Sequence, residues 1–261
     1  MFQEEIKSVS AVAAKKIDLL RKRPFAYFIS SALAGMFVGL GILLIFSVGG
    51  MLSAQGFAGT KIVMGLSFGI ALSLVVMAGS ELFTGNNFFM AVGLYQKSVS
   101  LSDALKLWGF CWLGNLAGSV MTAVLFAASG LNTGAVGEFI AQTSATKMAL
   151  PVSQLVIRGV LCNILVCLAI WCGAKMKSES GKLIMIFWCL YAFITAGFEH
   201  SVANMTLLAI GVLNPMGQAV SLGGYAYNLL FVTLGNMLGG ILFVALPYSI
   251  IAGKETFKKE V

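Results

Sequence analysis

Four ionisable side chains lie inside long uncharged stretches of this chain: Glu81, Arg158, Glu199 and His200. His200 is the one histidine, and no Asp, Glu, Lys or Arg follows it until Lys254. An imidazole changes charge near neutral pH, so it can give a hydrogen bond, lend a proton or carry a positive charge. In apolar surroundings each of the four groups is costly and needs a partner or a task. For His200 a working role is the stronger reading, against that of a hydrogen-bonded packing residue. For the glutamates the favoured reading is structural, with each carboxylate accepting from free backbone N–H groups nearby. The other reading is a proton relay. Arg158 either lies near the end of its segment or pairs within the bundle.

The elements that carry these groups follow from composition. The chain is 59% hydrophobic and 10% charged over 261 residues, against about 25% charged in an ordinary soluble domain. Its mean hydropathy is +0.93. That much apolar surface belongs in a bilayer, which about 20 apolar residues can cross as a helix. The uncharged runs divide into six spans at about 26–52, 61–95, 104–130, 151–174, 182–212 and 226–252. Spans 2 and 5 are too long for one straight helix and each contains a break.

The chain also repeats itself. ELFTGNNFFMAVGL (81–94) and EHSVANMTLLAIGV (199–212) share Glu, Asn, Ala and Gly at a constant offset of 118 residues. LGNLAG (113–118) pairs with LGNMLG (234–239). Three spans per copy is an odd number, so the second copy, about 151–252, is inverted relative to the first, about 26–130. Such inverted repeats place a site near the midplane, where discontinuous helices meet. The breaks fall at Gly79, Ser80, Thr84, Gly85 and Asn86, and at Gly197, Glu199, His200, Ser201 and Asn204. Non-helical backbone at that depth must face protein or a cavity, and half-helix N-termini attract anions. Glu81 and Glu199 are equivalent, but His200 aligns with Leu82. An asymmetric feature in a symmetric scaffold points to function.

Residues 1–24 are polar and basic, with apolar positions at Ile6, Val9, Val12, Ile17 and Leu20 that suit an amphipathic helix on the membrane surface; the other reading is a frayed cytosolic tail. The net charge of +7 needs no nucleic acid. With the N-terminus inside, the inner segments hold Lys7, Lys15, Lys16, Arg21, Lys22, Arg23, Lys97, Lys106, Lys175, Lys177, Lys182, Lys254, Lys258 and Lys259, and the outer ones only Lys61 and Lys147. This bias places both termini in the cytoplasm. The five cysteines lie within spans and form no CxxC, which fits packing rather than a disulfide framework or metal set. No cofactor is expected. Phe68, Leu72, Leu82, Phe83, Phe193 and Phe198 cluster around the breaks, either as bundle packing or as apolar constrictions.

MAGSELFTGN (77–86), RGVLCNILVCLAIW (158–171) and GFEHSVANM (197–205) together resemble the signatures of the formate/nitrite transporter family, and the likeness runs over essentially the whole chain. It implies an all-α membrane protein, a single channel domain over 1–261 with six transmembrane helices in an aquaporin-like inverted three-plus-three repeat, broken in spans 2 and 5 and assembled as a homopentamer. It implies that His200 is the central pore histidine, that Thr84 hydrogen-bonds toward it, and that Asn204 and Asn163 support the pore. Leu72, Phe68 and Phe83 would narrow the cytoplasmic side, and Leu82 and Phe193 the outer side. Lys16 and Lys147 would bias the vestibules toward anions, while Glu81, Glu199 and Asn86 would be structural at the breaks. The implied partners are a small monovalent anion and the lipid of a bacterial cytoplasmic membrane.

The implied activity is passage of weak-acid anions, with hydrosulfide the best match and nitrite and formate related substrates. A proton-coupled nitrite or formate transporter is the alternative. A neutral-solute pore for water or ammonia fits less well, because the chain has no paired Asn-Pro-Ala boxes and no histidine pair. An enzyme would need a nucleophile–base pair or a metal cluster, and no such set is visible in the sequence.

Overall fold

The computed structural model describes residues 1–253. Lys254, Lys258 and Lys259 therefore lie outside the described residues. Twelve α-helices follow one another among the described residues, with one π-helical turn. Helix α1 (Gln3–Lys22) turns one apolar face, Ile6, Val9, Ala13 and Ile17, onto the bundle. The first half follows as α2 (Pro24–Ser53), α3 (Thr60–Ser67), α4 (Ile70–Met77), α5 (Phe83–Tyr95) and α6 (Leu101–Ala128). The second half is α8 (Val152–Lys175), α9 (Glu179–Ala196), α10 (Ser201–Leu213), α11 (Leu222–Gly240) and α12 (Leu246–Ala252), with the π turn Ile241–Ala245 between the last two. Among the described residues six spans are long and apolar enough to cross a membrane: Pro24–Ser53, Thr60–Met77, Leu101–Ala128, Val152–Lys175, Glu179–Ala196 and Leu222–Ala252.

The expected breaks in spans 2 and 5 are present. Gly79 and Gly197 both adopt the left-handed conformation at φ 78°, which glycine reaches without a Cβ penalty. Each ends one helix, and α5 and α10 then begin at Phe83 and Ser201. A helix that the hydropathy pattern does not reveal, α7 (Gly134–Met148), joins the halves. It packs on α10 as α1 packs on α5, so each half carries a short helix against its broken span.

The tightest packing is α2 on α6 and α8 on α11. Gly114 and Gly118 of α6, and Gly235 and Gly239 of α11, lie at i, i+4 spacing in the repeated LGN segments. A Cβ at Gly118 would meet the carbonyl oxygen of Ala32, and one at Gly239 that of Val160. Small residues let membrane helices approach to backbone contact, where packing rather than water exclusion holds them together.

Candidate functional site

Both breaks are held in the same way. Asn115 on α6 accepts from the backbone N–H of Phe83 (2.8 Å) and donates to the carbonyls of Ser31 (2.7 Å) and Glu81 (2.9 Å). Asn236 on α11 accepts from Ser201 N–H (2.9 Å) and donates to Gly159 (2.8 Å) and Glu199 (2.9 Å). The Glu81 N–H reaches the carbonyl of Ser30, and the Glu199 N–H that of Arg158, both at 3.2 Å. Backbone groups freed by unwinding are thus repaired by neighbouring spans. The sequence flags these asparagines as a repeat but assigns them no task.

The break glutamates differ from the sequence expectation. Their carboxylates are taken by side chains rather than by free N–H groups of their own helix breaks. Lys16 on α1 meets both oxygens of Glu81 at 2.7 Å, with Tyr27 Oη (3.1 Å) and Asn86 Nδ2 (3.0 Å) completing the set. Lys147 on α7 meets Glu199 Oε1 at 2.7 Å, and Asn204 Nδ2 meets Oε2 at 2.6 Å. Asn204 also donates to Asn228 (2.9 Å), which in turn bonds the carbonyl of Lys147 (3.1 Å). The two lysines named as vestibule charges are therefore each balanced by a carboxylate, and the two ion pairs tie α1 and α7 to the breaks.

Only the second half ends this chain of contacts in a histidine. His200 is the N-cap of α10, and its Nδ1 accepts the Ala203 N–H at 3.1 Å. An acceptor nitrogen carries no proton, so the neutral ring holds its hydrogen on Nε2. That atom lies 3.0 Å from Thr84 Oγ1 on α5. Thr84 is fixed in turn, because its carbonyl accepts from Asn163 Nδ2 at 3.2 Å, and Asn163 also bonds the carbonyl of Asn236 at 2.6 Å. Phe193 stacks on the imidazole at a centroid distance of 5.9 Å and meets Phe68 edge-on at 5.8 Å.

A cavity of about 560 Å³ on the α1 side is lined by Lys16, Leu72, Glu81, Leu82 and Asn86, among others. A cavity of about 370 Å³ on the α7 side is lined by Lys147, Arg158, Phe193, Glu199, His200 and Asn204 among its residues. Between them lies a void of about 10 Å³ bounded by Val38, Phe68, Ala71, Leu72, Leu82, Val166, Leu190, Phe193 and His200. It shares Leu72 and Leu82 with the first cavity and Phe193 and His200 with the second. The void adjoins both through these shared walls, and it has room for about one water.

The placement separates the residues named from sequence. Leu72, Leu82, Phe68, Phe193 and His200 border the void, and Phe193 also lines the α7-side cavity. Leu82 does not lie on that side. It lines the α1-side cavity with Leu72, as well as the void between the two cavities. Phe83 borders none of the three cavities and is buried in the core. Thr84 and Asn163 stand behind His200 rather than on the void. Val38, Ala71, Val166 and Leu190 border the void without a sequence signal, since apolar residues in an apolar helix look alike.

A family profile described as formate/nitrite transporter matches residues 3–250. The nitrite transporter NirC of Salmonella typhimurium is 43% identical over 249 residues, covering 95% of this chain and 91% of that protein. Among solved structures, an FNT family ion channel superimposes with a TM-score of 0.90 at 41% identity, covering 95% of this chain and 98% of the other. A pentameric formate channel with formate bound gives a TM-score of 0.78 at 28% identity, covering 88% and 98%. With a profile match over nearly its whole length, the chain belongs to the formate/nitrite transporter family.

Proposed function

We propose that the chain is the protomer of a homopentameric, non-enzymatic membrane pore for small monovalent weak-acid anions, a single channel domain with its own path in each protomer. The carrying observation is that His200 is the one polar side chain on an otherwise apolar void between two lysine-bearing cavities. The pentamer and the anion class follow the pentameric formate channel and the nitrite transporter to which the chain is similar. Hydrosulfide rests on the sequence resemblance alone, so the substrate set is hydrosulfide, nitrite and formate. The basic segments on the α1 side support a cytoplasmic N-terminus and a pore in the inner membrane of a bacterial cell.

His200 acts as a hydrogen-bond donor. Its Nε2–H is shared between Thr84 Oγ1 and an anion arriving at the void. Giving up that proton outright would leave an imidazolate, and adding one at Nδ1 would break the bond to Ala203. The ring therefore offers a fixed dipole where a bare charge is poorly solvated. Phe193 keeps the ring in plane. Lys16 and Lys147 hold Glu81 and Glu199, and so the breaks, at the two mouths.

A second reading is favoured by the apolar walls of the void: the anion acquires a proton in the vestibule and crosses as the neutral acid. Reversal potentials in planar bilayers under gradients of hydrosulfide, nitrite, formate and chloride decide between the two. Potentials that follow the weak-acid anion gradients support anion flow, whereas uptake into liposomes without current supports passage with a proton. His200→Phe abolishes both while the pentamer still assembles. Normal flux through that variant would refute the central role of His200.

A further inference from the structure

The two halves repeat at the level of single hydrogen bonds, so their differences can be read residue by residue. Ser30 on α2 and Arg158 on α8 hold the same place. The carbonyl of each accepts the N–H of its break glutamate at 3.2 Å, and each side chain lines the cavity at its own break. The α1-side cavity thus has a hydroxyl where the α7-side cavity has a guanidinium.

Charge balance sharpens the contrast. Lys16 and Lys182 line the α1-side cavity, and both are ion-paired, with Glu81 at 2.7 Å and with Glu179 at 2.9 Å. In the α7-side cavity Lys147 is paired with Glu199 at 2.7 Å. Arg158 is half-buried there, and among the described residues its bonded partner is neutral, Gln154 Oε1 at 3.1 Å. Lys61 lines the same cavity, also without a carboxylate partner among the described residues. A guanidinium presents five N–H donors, and one bond to Gln154 leaves most of them for a solute.

We propose that Arg158, with Lys61 as an accessory charge, is the anion-capture site of the α7-side vestibule. It takes a small oxyanion or hydrosulfide from solution before His200 meets it. This deepens the anion-pore reading and rests on it. Charge in a low-dielectric cleft raises the local concentration of counter-ions. The cavity opposite lacks an unpaired cation among its described lining residues, so the two mouths differ in how they fill.

The test uses the full chain in proteoliposomes, with orientation read from protease access to a C-terminal tag, since α12 and α1 pack together. Initial nitrite flux is measured against nitrite concentration on the α7 side, at low ionic strength and again in high potassium gluconate. Arg158→Ser installs the residue found at the equivalent position and leaves the backbone carbonyl in place. Its half-saturating nitrite concentration rises about fivefold at low ionic strength, the scale of one unit charge several ångströms away in a water-rich mouth. Arg158→Lys restores the wild-type value, and high salt erases the difference because screening acts within about 10 Å. Wild-type flux with Arg158→Ser unchanged overturns the capture site and leaves the pore reading intact. A fall that Lys does not rescue and salt does not remove makes Arg158 structural and also overturns it. No nitrite, formate or hydrosulfide flux through the wild type would defeat the pore reading itself, and the capture site with it.

Discussion

Asn115 and Asn236 perform one task at two places: each bridges a helix break to the neighbouring span through one accepted and two donated hydrogen bonds. Both side chains are fully buried. Replacing Asn236 by Leu keeps bulk but strands the Ser201 N–H and the Glu199 carbonyl, while the Gly159 carbonyl keeps its bond within α8. A buried unpaired group costs about 1–3 kcal/mol, so a loss on the order of 3 kcal/mol is expected, and the same for Asn115→Leu. Thermal unfolding of the purified protein in detergent reads it. An unchanged midpoint would show that other contacts hold the breaks.

Thr84 holds the donor nitrogen of His200 without touching the void. Thr84→Val keeps the shape and removes the hydroxyl, so the Nε2–H loses its fixed acceptor while the Ala203 bond and the Phe193 stacking remain. Flux of nitrite or formate falls about tenfold, the equivalent of one hydrogen bond of about 1.4 kcal/mol. Thr84→Ser retains flux within a factor of about two. Equal flux through Val and Ser variants would show that the hydroxyl plays no part.

The Lys147–Glu199 pair is a second lever. Glu199 is 2% exposed and Lys147 19% at the side chain. Glu199→Gln leaves a mostly buried ammonium without its counter-charge. The loss is on the order of 2 kcal/mol, below the range for fully buried pairs because Lys147 keeps some water. The double variant Lys147→Met with Glu199→Gln recovers part of it. If the double variant is less stable than the sum of the single ones, the pair is not the unit that anchors α7.

The glycine faces make a contrast within one helix. Gly118→Ala drives a methyl into the backbone of α2, and Gly239→Ala does so against α8. Overpacking of this kind costs on the order of 2 kcal/mol. Gly109, also on α6, has no atom within 4 Å of where its Cβ would lie. Gly109→Ala therefore holds or raises stability, by up to about 1 kcal/mol from helix propensity. Thermal midpoints for the three variants should separate in that order, and equal midpoints would mean that α2–α6 and α8–α11 spacing is not set by these residues.

Sequence by itself determined whatever depends on composition and local spacing. It gave the six spans with edges within a few residues, both breaks, the pairing of Glu81 with Glu199 and Asn86 with Asn204, and His200 as the group without a counterpart. These were legible because apolar length, glycine at a break and a charge inside an apolar run are visible without knowing what lies opposite. Tertiary structure alone decided which side chains face the void. Leu82 turned to the α1-side cavity and Phe83 to the core, and Val38, Val166 and Leu190 joined the lining unannounced. A helix that is apolar on all sides carries no mark of its inner face. The same limit hid α7 above the second break, the joining of Lys16 to Glu81 across 65 residues, and the position of Arg158 where the other half keeps Ser30. Each of these depends on contacts between distant segments, which only the packed bundle brings together.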